Sequence, residues 1–287
     1  MVQDEITEVV TVAIAPGIGD AEQQRAIRKP PGNVDAWAAY QRGLWYLGKY
    51  NEHDNALAQR YFQQAIDIDP TFAGGCKGLA IAQAQAAAEF QIHSLPTIQN
   101  SVEGLARRAV ALDNADAEAH SILSNLLRLR GDHTGALAEA ERALAITPNL
   151  ALAHGVMGAT LVFSGRPREG LAALETSIRL DPRDPYLAAR LNQIALGLYF
   201  CREYEAAIEA ARGAIRSYPD HPLIYRWLAA SLGQIGRIAE AKEALAKAIG
   251  VVPGSFDMYV RGRVPWMRPE DHAHMLDGLR KAGMPEE

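Results

Sequence analysis

The feature that most constrains this chain is a short phrase that keeps returning. Helix-like stretches close on DIDP at Pro70, ALDN at Asn114, AITP at Pro148, RLDP at Pro182, RSYP at Pro219 and GVVP at Pro253. Successive intervals are 44, 34, 34, 37 and 34 residues. A fixed period of this length marks an array whose units bury their apolar faces against one another rather than in one central core. Small residues keep the same register. With Pro148, Pro182 and Pro253 each set at position 32, position 8 holds Gly158 and Ala229, and position 20 holds Ala136, Gly170 and Ala241. Position 27 holds Ala143, Ser177 and Ala248. Bulk is excluded there because two antiparallel helices of a unit approach closely. Leu123, Met157, Leu161, Leu228 and Leu232 fill the layer between helices. Gly131, Gly165 and Gly236 take position 15, a turn where a left-handed C-cap suits glycine. The prolines open the next loop, where a missing N–H costs little.

The irregular intervals keep the same logic. The stretch from Pro182 to Pro219 has three extra residues, placed at or before its first helix, and Ala195, Ala207 and Ala214 then fall on the small positions. The stretch from Pro70 to Asn114 has ten extra, read as a lengthened first helix, with Pro96 breaking the pattern before a second helix from about Ile98. The first unit, from about Asp35 to Pro70, has Gly43, Ala58 and Ala65 as small residues and a long turn near Asn51–Asn55. Six units and twelve helices follow. Residues 2–29 read as a leading helix interrupted at Ala15-Pro16-Gly17, with Lys29-Pro30-Pro31-Gly32 as linker. The division is therefore 1–34 for helix and linker, 35–253 for the array, and 254–287 for a loop (VPWMRPED) and a capping helix over Pro269–Ala282. Composition agrees: 50 alanines among 287 residues favour closely packed helices. A charge of −5, from 29 basic and 34 acidic side chains, argues against nucleic acid as the partner. Cys76 and Cys201 build no disulfide framework, no stretch of about 18 apolar residues offers a membrane span, and an acidic start (QDEITE) is unlike a secretory leader. A cytoplasmic location is expected.

Across 35–253 this pattern resembles the tetratricopeptide repeat, which implies an all-α fold, an α-α superhelix of about six helix-turn-helix repeats. The ends carry a narrower resemblance. VQDEITEVVTVAI, RAIRKPPGNVDAWAAYQRGLWYL and RPEDHAHMLDGLRKAGMPEE look like segments of bacterial signalling proteins in which a TolB-like region joins a repeat array to a class III adenylate or guanylate cyclase or a winged-helix domain. That resemblance implies that the chain is the C-terminal regulatory half of such a protein, with the upstream domain of the same polypeptide as one partner.

Catalytic chemistry finds no footing in the sequence. Gly74-Gly75-Cys76-Lys77-Gly78 is the nearest approach to a phosphate loop, and close packing explains its glycines better. Asp67 and Asp69 belong to a helix-end signal. His120 and His154 share position 4 of adjacent repeats with no third ligand in view, so packing is the expectation and metal binding is not. His272 and His274 fall on different faces of the last helix and read as solvated, Cys76 as a buried small hydrophobe, and Cys201 as a residue near a turn. No cofactor is implied.

What remains is the inner face of the array, formed by first helices at positions 2, 5, 9, 12 and 13. It offers Asn125, Arg128, Phe163, Asn192, Tyr199, Arg226 and Gln234 as a peptide-binding groove. Asparagine bonds a peptide backbone without reading its sequence, arginine attracts acidic groups, and aromatic rings serve as anchors. The carboxylate clamp of chaperone-tail binders, which the family resemblance brings into question, needs Lys or Arg at position 5; Ser121 stands there, and Val156 replaces the asparagine of the next repeat. The expected role is non-catalytic capture of a protein or peptide. The alternative is a homodimer through the leading helix or the C-terminal cap with Trp266.

Overall fold

The structure is a computed structural model that describes residues 34–49, 51–88, 95–184, 186–221, 223–251 and 253–284. The leading helix and linker expected over 2–32 lie outside the described residues. Fourteen α-helices and one π-helical turn are seen among those described. Contacts divide the chain after Leu112 into two compact units.

The first unit holds α1 (Val34–Leu47), α2 (Glu52–Ile68), α3 (Ala73–Ala88) and α4 (Leu95–Leu112). The α1–α2 turn is shorter than the sequence suggested, because the Asn51 side chain caps α2 by accepting from the Asp54 amide at 2.9 Å. Helix α4 also starts earlier than Ile98. Pro96 sits in its first turn, where no intrahelical donor is needed, instead of ending the preceding segment. The glycine cluster serves packing: a side chain at Gly75 would collide with Ile66, and one at Gly78 with Phe62.

The second unit holds four further pairs: α5 (Ala117–Leu129) with α6 (His133–Ile146), α7 (Ala151–Phe163) with α8 (Pro167–Leu180), α9 (Leu187–Phe200) with α10 (Tyr204–Ser217), and α11 (Ile224–Gln234) with α12 (Ile238–Val251). Helices pack within pairs and between successive pairs, and the first helices also touch in series, α5 on α7, α7 on α9 and α9 on α11. The small positions decide how near they come. A side chain at Gly158 would meet the Gly170 carbonyl oxygen at 2.8 Å, and one at Gly170 would meet that of Gly158 at 2.6 Å. Ala136, Ala143, Ala195, Ala207, Ala229 and Ala241 are wholly buried at the equivalent contacts. His120 and His154 have the same job one period apart: each ring Nε2 donates to the carbonyl of the preceding loop, Asn114 at 3.1 Å and Pro148 at 2.9 Å.

The C-terminal segment departs from expectation. After α13 (Pro253–Phe256) and the π-helical turn (Asp257–Arg261), α14 (Pro269–Lys281) forms close to its expected bounds, but it does not simply cap the end of the stack. It lies against α11 and reaches α9, so one of its faces is buried. His272 and His274 are therefore not solvated: His272 Nε2 donates to the Val260 carbonyl at 2.8 Å, and His274 stacks on Tyr199 with ring centroids 4.4 Å apart.

Position 15 turns left-handed in three repeats, with φ of 83° at Gly131, 88° at Gly165 and 77° at Gly236. In the fifth repeat Arg202 holds that conformation, at φ 62°. An L side chain there costs about 1 kcal/mol. Arg202→Gly is expected to raise unfolding stability in urea by about 1 kcal/mol, and Gly236→Ala, with open space around it, to lower it by a similar amount. Equal melts for both variants and wild type would contradict the assignment.

Candidate functional site

The face built by α5, α7, α9 and α11 carries all seven side chains singled out from sequence. The structure does not leave them equally free. Asn125 is half-buried, and its Oδ1 accepts from Arg128 Nη2 at 2.8 Å. The Arg128 guanidinium stands 5.7 Å from the centre of the buried Phe163 ring, so Phe163 is a floor under an arginine rather than an open anchor. Asn192 is buried with no partner for its Oδ1. Arg226 lies across the Trp227 ring at 4.8 Å and the Tyr259 ring at 5.3 Å. Burial brings both Arg128 and Arg226 down to about 10, Arg128 further disfavoured by the neighbouring Arg190 charge.

Tyr199 and Gln234 are engaged by the chain itself. The fully buried Tyr199 hydroxyl donates to the His274 carbonyl at 2.6 Å and accepts from Gln234 Nε2 at 3.2 Å. Gln234 Nε2 also reaches Asp277 Oδ2 at 2.9 Å, while Lys281 Nζ donates to Gln234 Oε1 at 2.9 Å. Burial drives the Tyr199 phenol far above its ordinary value, so it stays a donor. These two residues hold α14 in place and are corrected here from open groove positions to an internal clasp.

The segment before α14 follows the same face. The Pro265 carbonyl oxygen would stand 2.7 Å from a side chain at Gly131, and the Arg268 guanidinium rests over Gly165. The His133 ring is tied to the Trp266 backbone. Gly278 then packs where a side chain would meet the Ala230 carbonyl oxygen at 2.8 Å, and its own carbonyl abuts Gly233. From residue 265 to 278 the chain thus visits the third, fourth, fifth and sixth repeats in order. Trp266, a proposed dimer contact, packs 6.0 Å from Tyr259 of its own chain.

Three residues of this face escaped sequence reasoning. Arg190 occupies position 3, which a rule of inward positions passes over; its guanidinium covers Gly155, and that glycine at a helical position was the available signal. Tyr259 and His274 lie beyond the periodic region and had no register to reveal them.

Residues 103–151 and 192–256 match the profile of the tetratricopeptide repeat. The likeness to that repeat covers less than half of the chain. The chain's fold resembles that of the APC/C hetero-tetramer Cut9–Hcn1, at 14% identity and a TM-score of 0.66 over 89% of this chain. The match spans only 45% of that chain, less than half its length. Pseudomonas aeruginosa PilF matches at 19% identity and a TM-score of 0.55, covering 78% of this chain and 94% of that one. At such identities the likeness shows the fold alone. No curated protein matches the chain in sequence. Among the described residues no helix is long and apolar enough to cross a membrane, and no three His, Cys, Asp or Glu side chains gather as a metal site.

Two measurements probe how the tetratricopeptide face is held. Tyr199→Phe removes a buried donor to the His274 carbonyl and is expected to lose about 1–2 kcal/mol in urea melts. The buried His221, beside Arg226, titrates at about 4 when folded against an ordinary value of 6.5. Its folded pKa is depressed, so the unfolded chain takes the proton first. The stabilisation is complete above pH 6.5 and disappears as pH falls to 4, a loss of roughly 3 kcal/mol. His133 and His274 shift in the same direction. A His221→Gln variant should show a flatter fall between pH 7 and 4; an unchanged slope would contradict the burial of that ring.

Proposed function

We propose that the second unit is a non-catalytic interaction module that binds an extended segment of a partner protein along the face of α5, α7, α9 and α11. One observation carries this reading: the face already holds its own residues 265–278, through the bond from Tyr199 to the His274 carbonyl and close glycine contacts that read chain path rather than side-chain identity. The tetratricopeptide fold supports it, as does the pairing of half-buried Asn125 with buried Asn192, amides suited to a second backbone. The test is binding of immobilised twelve-residue peptides to the whole chain. Asn125→Ala/Asn192→Ala is expected to weaken captured peptides about tenfold or more, from two hydrogen bonds of about 1 kcal/mol each. Capture that ignores the double substitution would overturn the mapped face.

The finer reading is that the module is the C-terminal regulatory part of a bacterial signalling protein, coupled to an adenylate-cyclase-like or winged-helix domain upstream and working in the cytoplasm. The sequence resemblance of residues 2–14, 25–47 and 268–287 supports it. An in-frame domain of either kind in the coding sequence before Met1 would bear it out, and an in-frame stop would end it.

Self-association is the second reading, and one surface favours it. Val34, Trp37 and Trp45 share a stripe of α1 and stand 73%, 44% and 61% exposed. Light scattering of a concentration series tests it: wild type should gain mass with concentration, and Trp45→Glu should not.

A further inference from the structure

Three arginines of the second unit are buried on the same face, and only one of them has a carboxylate near it. Arg128 on α5, Arg190 on α9 and Arg226 on α11 are 7%, 6% and 4% exposed. A guanidinium carries five N–H donors. Arg128 uses Nη2 on Asn125, while its Nε is sealed and has no acceptor. Arg190 has the Asp184 carboxylate 3.6 Å away, too far for a hydrogen bond, and its Nε is likewise unfilled. Arg226 shows no hydrogen bond, with Nε and Nη1 both sealed. Asn192 Oδ1 and Gln193 Oε1, on the same helix as Arg190, are also unsatisfied.

Structural roles do not account for this arrangement. Ring contacts with Phe163, Trp227 and Tyr259 return far less than the desolvation of an unpaired guanidinium costs. Arg128 and Arg190 repel each other, so grouping them adds to the cost. The chain as a whole is acidic, at −5, and its exposed arginines find carboxylates readily, as Arg166 does with Glu169 and Arg237 with Glu240. Of the three buried ones only Arg190 has a carboxylate in reach, that of Asp184 at 3.6 Å. Charges concentrated, buried and left open in this way fit an anion supplied from outside.

We propose that Arg128, Arg190 and Arg226 form an oxyanion-binding row that takes the side-chain carboxylates of an acidic peptide segment laid across α5, α9 and α11. This rests on the reading of the face as a peptide site and names the chemistry of its ligand. The guanidinium groups stand on three different helices, which suits a series of single carboxylates better than one multiply charged group. Tyr259, on the π-helical turn, covers Arg226; such turns are frequent at functional sites.

The probe is fluorescein-labelled hexaglutamate, measured by fluorescence anisotropy on the whole chain, with hexaglutamine as the neutral control. Hexaglutamate is expected to bind at least about tenfold more tightly than hexaglutamine, and to weaken with added salt. Arg226→Met discriminates by sign. It should raise Tm, because it removes an unpaired buried charge, and should weaken hexaglutamate at least about tenfold. A lower Tm with unchanged hexaglutamate binding makes Arg226 a structural residue and overturns the proposal. Arg128→Gln provides a second variant, with the same loss of binding expected and intact binding counting against the row. Competition by inorganic phosphate as strong as that by unlabelled hexaglutamate would make the site one for free phosphate and overturn the acidic peptide. Neutral peptides captured through Asn125 and Asn192, with no preference for hexaglutamate, would leave the peptide face standing and the oxyanion row refuted.

Discussion

Backbone-to-backbone approach of paired helices is the constraint on which the rest of this fold depends. Where Gly158 and Gly170 face each other, each peptide carbonyl fills the space that a side chain would need. Buried alanines do the same in neighbouring pairs. Close approach brings the large residues of adjacent layers, such as Leu174, Leu196 and Trp227, into contact from one pair to the next. Apolar burial then accumulates along the stack rather than toward a centre. The first helices come out side by side, and that shared face positions every candidate functional side chain.

Its own C-terminal segment gives that face a second character. Tyr199, Gln234, Gly233 and the two turn glycines Gly131 and Gly165 receive a strand of chain that leaves the last repeat and passes along the others. The segment neutralises none of the buried arginines, since its acids are spent elsewhere: Asp271 on Arg268, Asp277 on Lys281 and Gln234. What it brings to Arg226 is the ring of Tyr259. Occupation by a peptide path and a deficit of negative charge therefore coexist on one surface.

The fold was legible because its information is local and repeated. A 34-residue interval, small residues at three positions and glycine at the turn each report a contact between helices adjacent in sequence. Arg202 shows the limit of that rule: the turn geometry is kept without its glycine. The site was legible only in part. Asn125, Arg128, Asn192 and Arg226 could be proposed because an inward register position is a local property. Whether such a position is already occupied is not local. Tyr199 meets a carbonyl 75 residues away, and nothing in the periodicity of α9 foretells it. Phe163 was read as an anchor by residue type, but the arginine above it, on a neighbouring helix, decides what it does. The capping helix packs on α11 of the last repeat, but its further bond to Tyr199 of α9 could not be read from polar residues on a last helix.

The path of residues 265–278 has a consequence for how the second unit comes into being. A stack of repeats ordinarily forms piecemeal, each unit adding to a finished neighbour as the chain emerges from the ribosome. Here the Gly131 turn is completed by Pro265 and the Gly165 turn by Arg268, partners made more than a hundred residues later. These early repeats have bare edges until that later stretch of chain has been made. Residues 265–278 thus act as a keystone, tying contacts on four successive repeats into one connected path.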